Sequence, residues 1–193
     1  MRELPTLRTD RLLLRPFRMS DAPDVQRLAG AMEVAQWTLA LPHPYENGTA
    51  ERWIESQQRQ VEDGMLPNFA ITLAADGVLM GSIGMEIQAE HQHGRLGYWL
   101  GVTYWNQGYG TEAVKAVLAY GFDTLHLHRI YAPHFSGNLA SGRVLQKVGM
   151  RHEGRLREHY VRLGRRVDLE LYGMIEADFR DQPWSRTRDE ARP

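Results

Sequence analysis

The stretch Thr103 to Asp123, TYWNQGYGTEAVKAVLAYGFD, constrains this 193-residue chain more than any other. It follows an apolar, strand-like run, RLGYWLGV (95–102). It then passes two closely spaced glycines, Gly108 and Gly110, into a segment whose Ala113, Val114, Val117, Leu118 and Phe122 share one helical face. A strand that turns straight into a helix leaves the first-turn N–H groups of that helix without acceptors inside the helix. Those donors and the helix dipole point beyond the strand end, which predicts an anion site suited to a pyrophosphate.

The flanking periods build a sheet around that turn. RLLLRPF (11–17) reads as a strand, and Ser20 and Pro23 in MSDAPD mark a helix start that runs to about Ala29. Pro42 and Pro44 make Gln36 to Tyr45 an ordered loop, since proline removes donors and fixes φ. Three-four spacing predicts a helix over 49–62, and NFAITLA and VLMGSIGMEI form a hairpin about Asp76-Gly77. HRIYAPHF (128–135) is a strand, LASGRVLQKVGM is a helix stopped at Gly149, and two strands flank Gly164 as a second hairpin. The sum is an α+β fold: a mixed sheet of about seven strands, mostly antiparallel with one central parallel crossover, flanked by about four helices. Residues 1–181 form a single domain, and the polar stretch 182–193 is expected to fray.

Charge and composition remove several functions. With 23 Lys+Arg against 24 Asp+Glu there is no cationic field to hold a nucleic-acid backbone. The absence of Cys excludes thiol nucleophiles and Cys-ligated metals. No 18-residue apolar run occurs and the first residues lack a signal-peptide core, so the expectation is a cytoplasmic, non-membrane protein. His91/His93 and His126/His128 lie at strand spacing with no carboxylates at ligand spacing, and no metal is expected. Gly108-x-Gly110-x-x-Ala113 matches the loose dinucleotide fingerprint. The acidic residue that a ribose needs about 20 positions on is missing, because no Asp or Glu occurs between Asp123 and Glu153. A Walker loop would need Gly-Lys-Ser/Thr where Gly110-Thr111-Glu112 stands.

GYWLGVTYWNQGYGTEAVKAVLAYGF, SGNLASGRVLQKVGMRHEGRLRE and the final DLELYGMI, in this order and spacing, strongly resemble the GCN5-related N-acetyltransferase (GNAT) superfamily. The opening LRTDRLLLRPFRMSDA and the WTLALPHPY loop are similar to its ribosomal-protein N-terminal acetyltransferase branch, and the resemblance spans about residues 7 to 179. It implies acetyl-CoA as co-substrate, its pyrophosphate on the amides of Gln107, Gly108, Tyr109, Gly110 and Thr111, with Trp105 standing where the superfamily often has Arg or Gln. It also implies that the backbone around Leu100 to Val102 pairs with the pantetheine amides, as a strand edge would. Asn138 is placed on the pantetheine, although Asn there is equally a helix N-cap.

Acetyl transfer to an amine needs a neutral amine, a stabilised oxyanion and a proton for the thiolate. Many members donate that proton from a tyrosine whose place here is Leu145, which leaves Ser141, one turn earlier, as the donor. Tyr160 stands where some members carry a Glu base, and Glu86, Glu158 and His134 are further candidates, each with an ordinary structural alternative. Without a strong base, an α-amine is the better acceptor, because its pKa lies about 2.5 units below that of lysine. Trp37, Tyr45 and Tyr98 are the expected walls of an acceptor pocket roofed by the proline-aromatic loop. Residues 151–166 place six Arg against two Glu beside it. A small free amine as acceptor and a non-catalytic acyl-CoA sensor are the alternatives, and either a monomer or a homodimer fits.

Overall fold

A computed structural model describes residues 5–62 and 68–185. The chain opens with β1 (Leu7–Arg8) and β2 (Leu12–Pro16), then α1 (Ala22–Ala29), α2 (Met32–Ala35) and α3 (Thr49–Glu62). The meander β3 (Phe69–Leu73), β4 (Leu79–Gln88), β5 (His93–Leu100) follows and leads into α4 (Tyr109–Ala119). β6 (Arg129–Phe135), α5 (Leu139–Lys147), the hairpin β7 (Arg151–Arg162) and β8 (Arg165–Ile175), and α6 (Glu176–Arg180) complete it.

The strands form one sheet in the order β1-β2-β3-β4-β5-β6-β8-β7. Every pair is antiparallel except β5–β6, as the crossover through α4 requires. The described residues hold eight strands and six α-helices rather than about seven and four. The additions are β1, of two residues, and the single-turn α2 and α6, all too short to carry a period. Ser20 does not cap α1. The Asp21 carboxylate accepts instead from the Arg18 amide (2.8 Å) and from both terminal nitrogens of Arg15 (2.8 Å each). Burial opposes its charge, but the Arg15 and Arg18 hydrogen bonds outweigh that and hold its pKa below the ordinary value. Within the stretch expected to fray, Trp184 packs edge-on to Phe179 at 5.5 Å with Lys115 over its ring, while residues 186–193 lie outside the described ones.

Two cores sandwich the sheet. One face packs α4 and α5 through Val114, Val117, Leu118 and Leu145 onto Phe69, Ile71, Ile83 and Leu96. The other packs α1 and α3 through Val25, Leu28 and Ile54 onto Ala70 and Leu79. Between the two halves the sheet opens: β5 and β6 pair only from His93↔Arg129 to Arg95↔Tyr131 and then diverge.

Candidate active site

Strand alternation sorts the residues around this opening onto two faces. Arg95, Gly97 and Trp99 lie opposite Glu86, Gly84 and Ser82 across β4 and β5, and Trp99 packs with the α1/α3 core. Leu96, Tyr98 and Leu100 face α4 and α5 and pack on that core. Tyr98 lines the same cleft as Trp37 and Tyr45, as expected, and does so from the α4/α5 side. Its hydroxyl meets Ser141 Oγ at 2.9 Å, and the pair spans the gap between β5 and α5. Burial pushes the Tyr98 pKa up to about 12, against the opposing effect of the hydrogen bond it shares with Ser141, so the phenol stays protonated at neutral pH.

The Gly101 amide bonds to Met80 O, so every second residue back along β5 is paired with β4. Tyr98 and Leu100 consequently turn their main-chain groups toward the opening. The Leu100 carbonyl is already occupied, because Trp105 Nε1 donates to it at 2.7 Å. The expected strand to Val102 stops short: Val102 sits in a 3-10 turn and its carbonyl accepts from the Trp105 amide. A pantetheine-like edge is thus centred on Tyr98 and the Leu100 amide.

The glycine turn ends as a helix N-terminus. Gly108 holds φ +84°, a left-handed conformation that admits glycine without strain, and Tyr109 begins α4 with Gly110 and Thr111 in its first turn. Gly110 is buried, where an added Cβ would touch Leu100 and Val144 at 3.6 Å. Gln107 Nε2 donates to Thr103 O, and its own carbonyl accepts from Arg11 Nη1 at 3.1 Å. Arg11 also bonds Glu112 through Nε (2.7 Å) and its main-chain amide (2.9 Å), and lies 4.5 Å from the Tyr109 ring centroid. Burial works against the charge of Glu112, and the bonds from Thr9 and Arg11 overcome it to lower the pKa. Arg11 thereby braces the loop and balances a carboxylate close to where an anion would sit. Nothing in the sequence near position 11 announces this. Asn138 acts as the N-cap of α5, its Oδ1 accepting from the Ser141 amide at 3.1 Å, which orients the turn that carries Ser141.

A cleft of about 1060 Å³ runs beneath the 37–42 segment and is lined from both faces of the sheet, by Leu96 and Tyr98 as well as by Trp99. Trp37, Tyr45, Trp99 and Tyr160 line it, together with Glu86 and Arg95. Glu86 lines the cleft and also faces solvent, its side chain 62% exposed, so both readings of it hold. Its Oε2 accepts from Arg95 Nε (3.0 Å) and Nη2 (2.5 Å). Tyr160 stacks edge-on to Phe135 at 6.5 Å. Tyr45 is fixed by Gln26 Nε2 on its carbonyl (2.7 Å), and burial and the nearby Glu51 raise its phenol pKa. Glu158 lies out on the hairpin, 3.8 Å from Arg166, whereas His134, stacked on Tyr172 and buried, is among the residues lining the cleft. Trp99 and Arg95, which strand alternation could have singled out, are among the cleft residues that the sequence reading missed, as is Trp53.

A protein-family model, the acetyltransferase (GNAT) domain, matches residues 11–151, which contain β2 through α5 and the whole opening. The chain belongs to the GNAT acetyltransferase family. This GNAT acetyltransferase is 30% identical over 173 residues to the N-acetyltransferase YoaA of Bacillus subtilis, covering 89% of this chain and 97% of that one. It is 31% identical over 84 residues to the [ribosomal protein uS5]-alanine N-acetyltransferase of Escherichia coli, covering 44% and 43%. Among solved structures, Mycobacterium smegmatis RimJ in complex with CoA-disulfide superposes with a TM-score of 0.80 at 24% identity, covering 97% and 93%, a likeness of fold. The family activity agrees with the site: a helix N-terminus and an open strand edge beside an aromatic cleft lined from both faces of the sheet. Among the described residues no helix is long and apolar enough to cross a membrane.

Proposed function

We propose that this acetyltransferase moves acetyl from acetyl-CoA directly to the α-amine of a peptide or protein N-terminus. The observation that carries the reading is the Tyr98–Ser141 hydroxyl pair at the opening between β5 and β6, with the glycine turn on one side and the cleft on the other. The amides from Gln107 to Thr111 hold the pyrophosphate, and Tyr98 and Leu100 offer main-chain groups to the pantetheine. In the transfer a C–N bond forms as the C–S bond breaks, the amine loses a proton and the thiolate gains one. Ser141 supplies the thiolate proton, with Tyr98 donating to Ser141 Oγ and so turning the serine hydrogen toward the opening. Glu86 takes the amine proton through Oε1, the oxygen that Arg95 leaves open, and Tyr160 contacts the acceptor from the cleft wall.

A carboxylate held by arginine is a weak base. Deprotonating an α-amine near neutrality costs roughly 3.5 kcal/mol less than deprotonating lysine, which favours the terminal amine. The relative that acts on a ribosomal-protein alanine supports the same acceptor. The test uses the absence of cysteine, which lets CoA release be followed by a thiol reagent without protein background. Peptides with free N-termini should release CoA, and the same peptides with blocked N-termini and internal lysines should not. Release from the blocked set alone overturns the α-amine assignment.

Arg11→Ala removes the brace on the turn and leaves Glu112 unbalanced beside the phosphates. The KM for acetyl-CoA should rise about tenfold, the loss of one charge-assisted hydrogen bond, with the acceptor KM unchanged. Steady-state kinetics varying each substrate in turn checks both halves of that expectation.

A further inference from the structure

The roof of the cleft is held by a residue far from it in sequence. Arg162, at the end of β7, donates through Nε (3.2 Å) and Nη2 (2.6 Å) to the Ala35 carbonyl, and through Nη2 to the Leu41 carbonyl (2.7 Å). These bonds bracket residues 37–40, which line the cleft. A second tie lies at the turn before α5: a Cβ added to Gly137 would stand 3.1 Å from two atoms of the Trp37 ring, so the indole lies directly on that glycine. The roof belongs in sequence to the α1/α3 half of the molecule, yet it is fastened to the β6–β8 half, across the opening where β5 and β6 part.

The space beneath is chemically one-sided. Its walls include Trp37, Leu41, Tyr45, Trp53 and Trp99, and among the described lining residues Glu86 is the sole carboxylate, already committed through one oxygen to Arg95. Apolar walls reward an apolar body that leaves water. Among the described lining residues a second ammonium on the acceptor would find no further carboxylate to pair it, and taking it out of water unpaired is costly.

We propose that Arg162 is a specificity-determining residue: by strapping the 37–40 roof over the cleft it closes an apolar site that selects a primary amine carried on an uncharged, apolar body and turns away polycationic amines. The inference rests on the transferase reading and adds to it the chemistry next to the amine. Arg162 is a positioning residue, since it acts through the roof. Lysine in its place could reach one carbonyl as a point donor but could not hold both with a planar fork.

The test measures CoA release from Leu- and Phe-led peptides, from the same peptides led by Lys, and from spermidine. The wild type should favour the apolar-led peptides. Arg162→Ala should raise their KM about tenfold and lower their advantage over spermidine by a similar factor, with kcat at saturating acceptor and the KM for acetyl-CoA unchanged. Arg162→Lys should fall between. Gly137→Val, which displaces Trp37 without touching Arg162, should lose the same discrimination and keeps the idea testable if Arg162→Ala folds poorly. Equal turnover of spermidine by the wild type, or unchanged selectivity in both Arg162→Ala and Gly137→Val, overturns the proposal. Acetyl-CoA binding with no release from any amine would instead refute the transferase reading on which it stands.

Discussion

Asp21→Asn should destabilise the fold by about 3 kcal/mol, because it leaves the Arg15 guanidinium buried without a counter-charge. Both side chains are about nine-tenths buried, and the pair is joined by two bonds of 2.8 Å. Set against roughly 5–15 kcal/mol for a typical domain, that is a large share of the total. A fall in the urea midpoint with unchanged slope is the expected result, and an unmoved midpoint would refute it. The pH dependence follows from the sign of the shift. The folded pKa of Asp21 lies below its unfolded value, so its contribution is complete above the unfolded pKa, near 3.9, and drains away as pH falls toward and through the folded value. Below about pH 4 the wild type should therefore lose thermal stability more steeply than Asp21→Asn.

Ser141→Ala should lower kcat by about one to two orders of magnitude, while the KM for acetyl-CoA stays within about twofold. The effect is bounded because a thiolate whose conjugate acid has a pKa near 8.5 is already a fair leaving group. Tyr98→Phe removes only the bond that turns the Ser141 hydroxyl and should cost less, and the double variant should be little worse than Ser141→Ala alone. Since burial keeps Tyr98 protonated up to about 12, its loss should not move the limbs of the pH–rate profile between pH 6 and 9. Full additivity of the two losses would mean that the hydroxyls work separately.

What the sequence disclosed tracks the length of the signal. The Gly108–Gly110 turn, the hairpins and the long helices each carry a period over many residues, and they stand where the periodicity puts them. β1, with two residues, and the single-turn α2 and α6 have no period to read. Alternation separates Tyr98 from Trp99, yet both line the cleft, because its course depends on where α1, α3, α4 and α5 pack, and that is decided by tertiary contacts. Ser141 stood out as a hydroxyl on the right turn and Tyr98 as a cleft wall, which it is, but their pairing joins β5 to α5 and no local pattern shows it. The ties from Arg11 to Glu112 and from Arg162 to Ala35 join residues 101 and 127 positions apart, and no local pattern predicts such a meeting.

The brace between Arg11 and the glycine turn also has a thermodynamic side. The two-residue β1 at the sheet edge is the sort of element that opens first in the folded state. Thr9 and Arg11, on the link from β1 into β2, grip Glu112 in the same turn that we propose as the phosphate site. Any ligand that prefers the braced turn must spend part of its binding free energy on keeping that edge closed, and closure of the edge returns the same increment to the ligand. The first strand of the chain is thus a silent partner in affinity, contributing without touching what is bound.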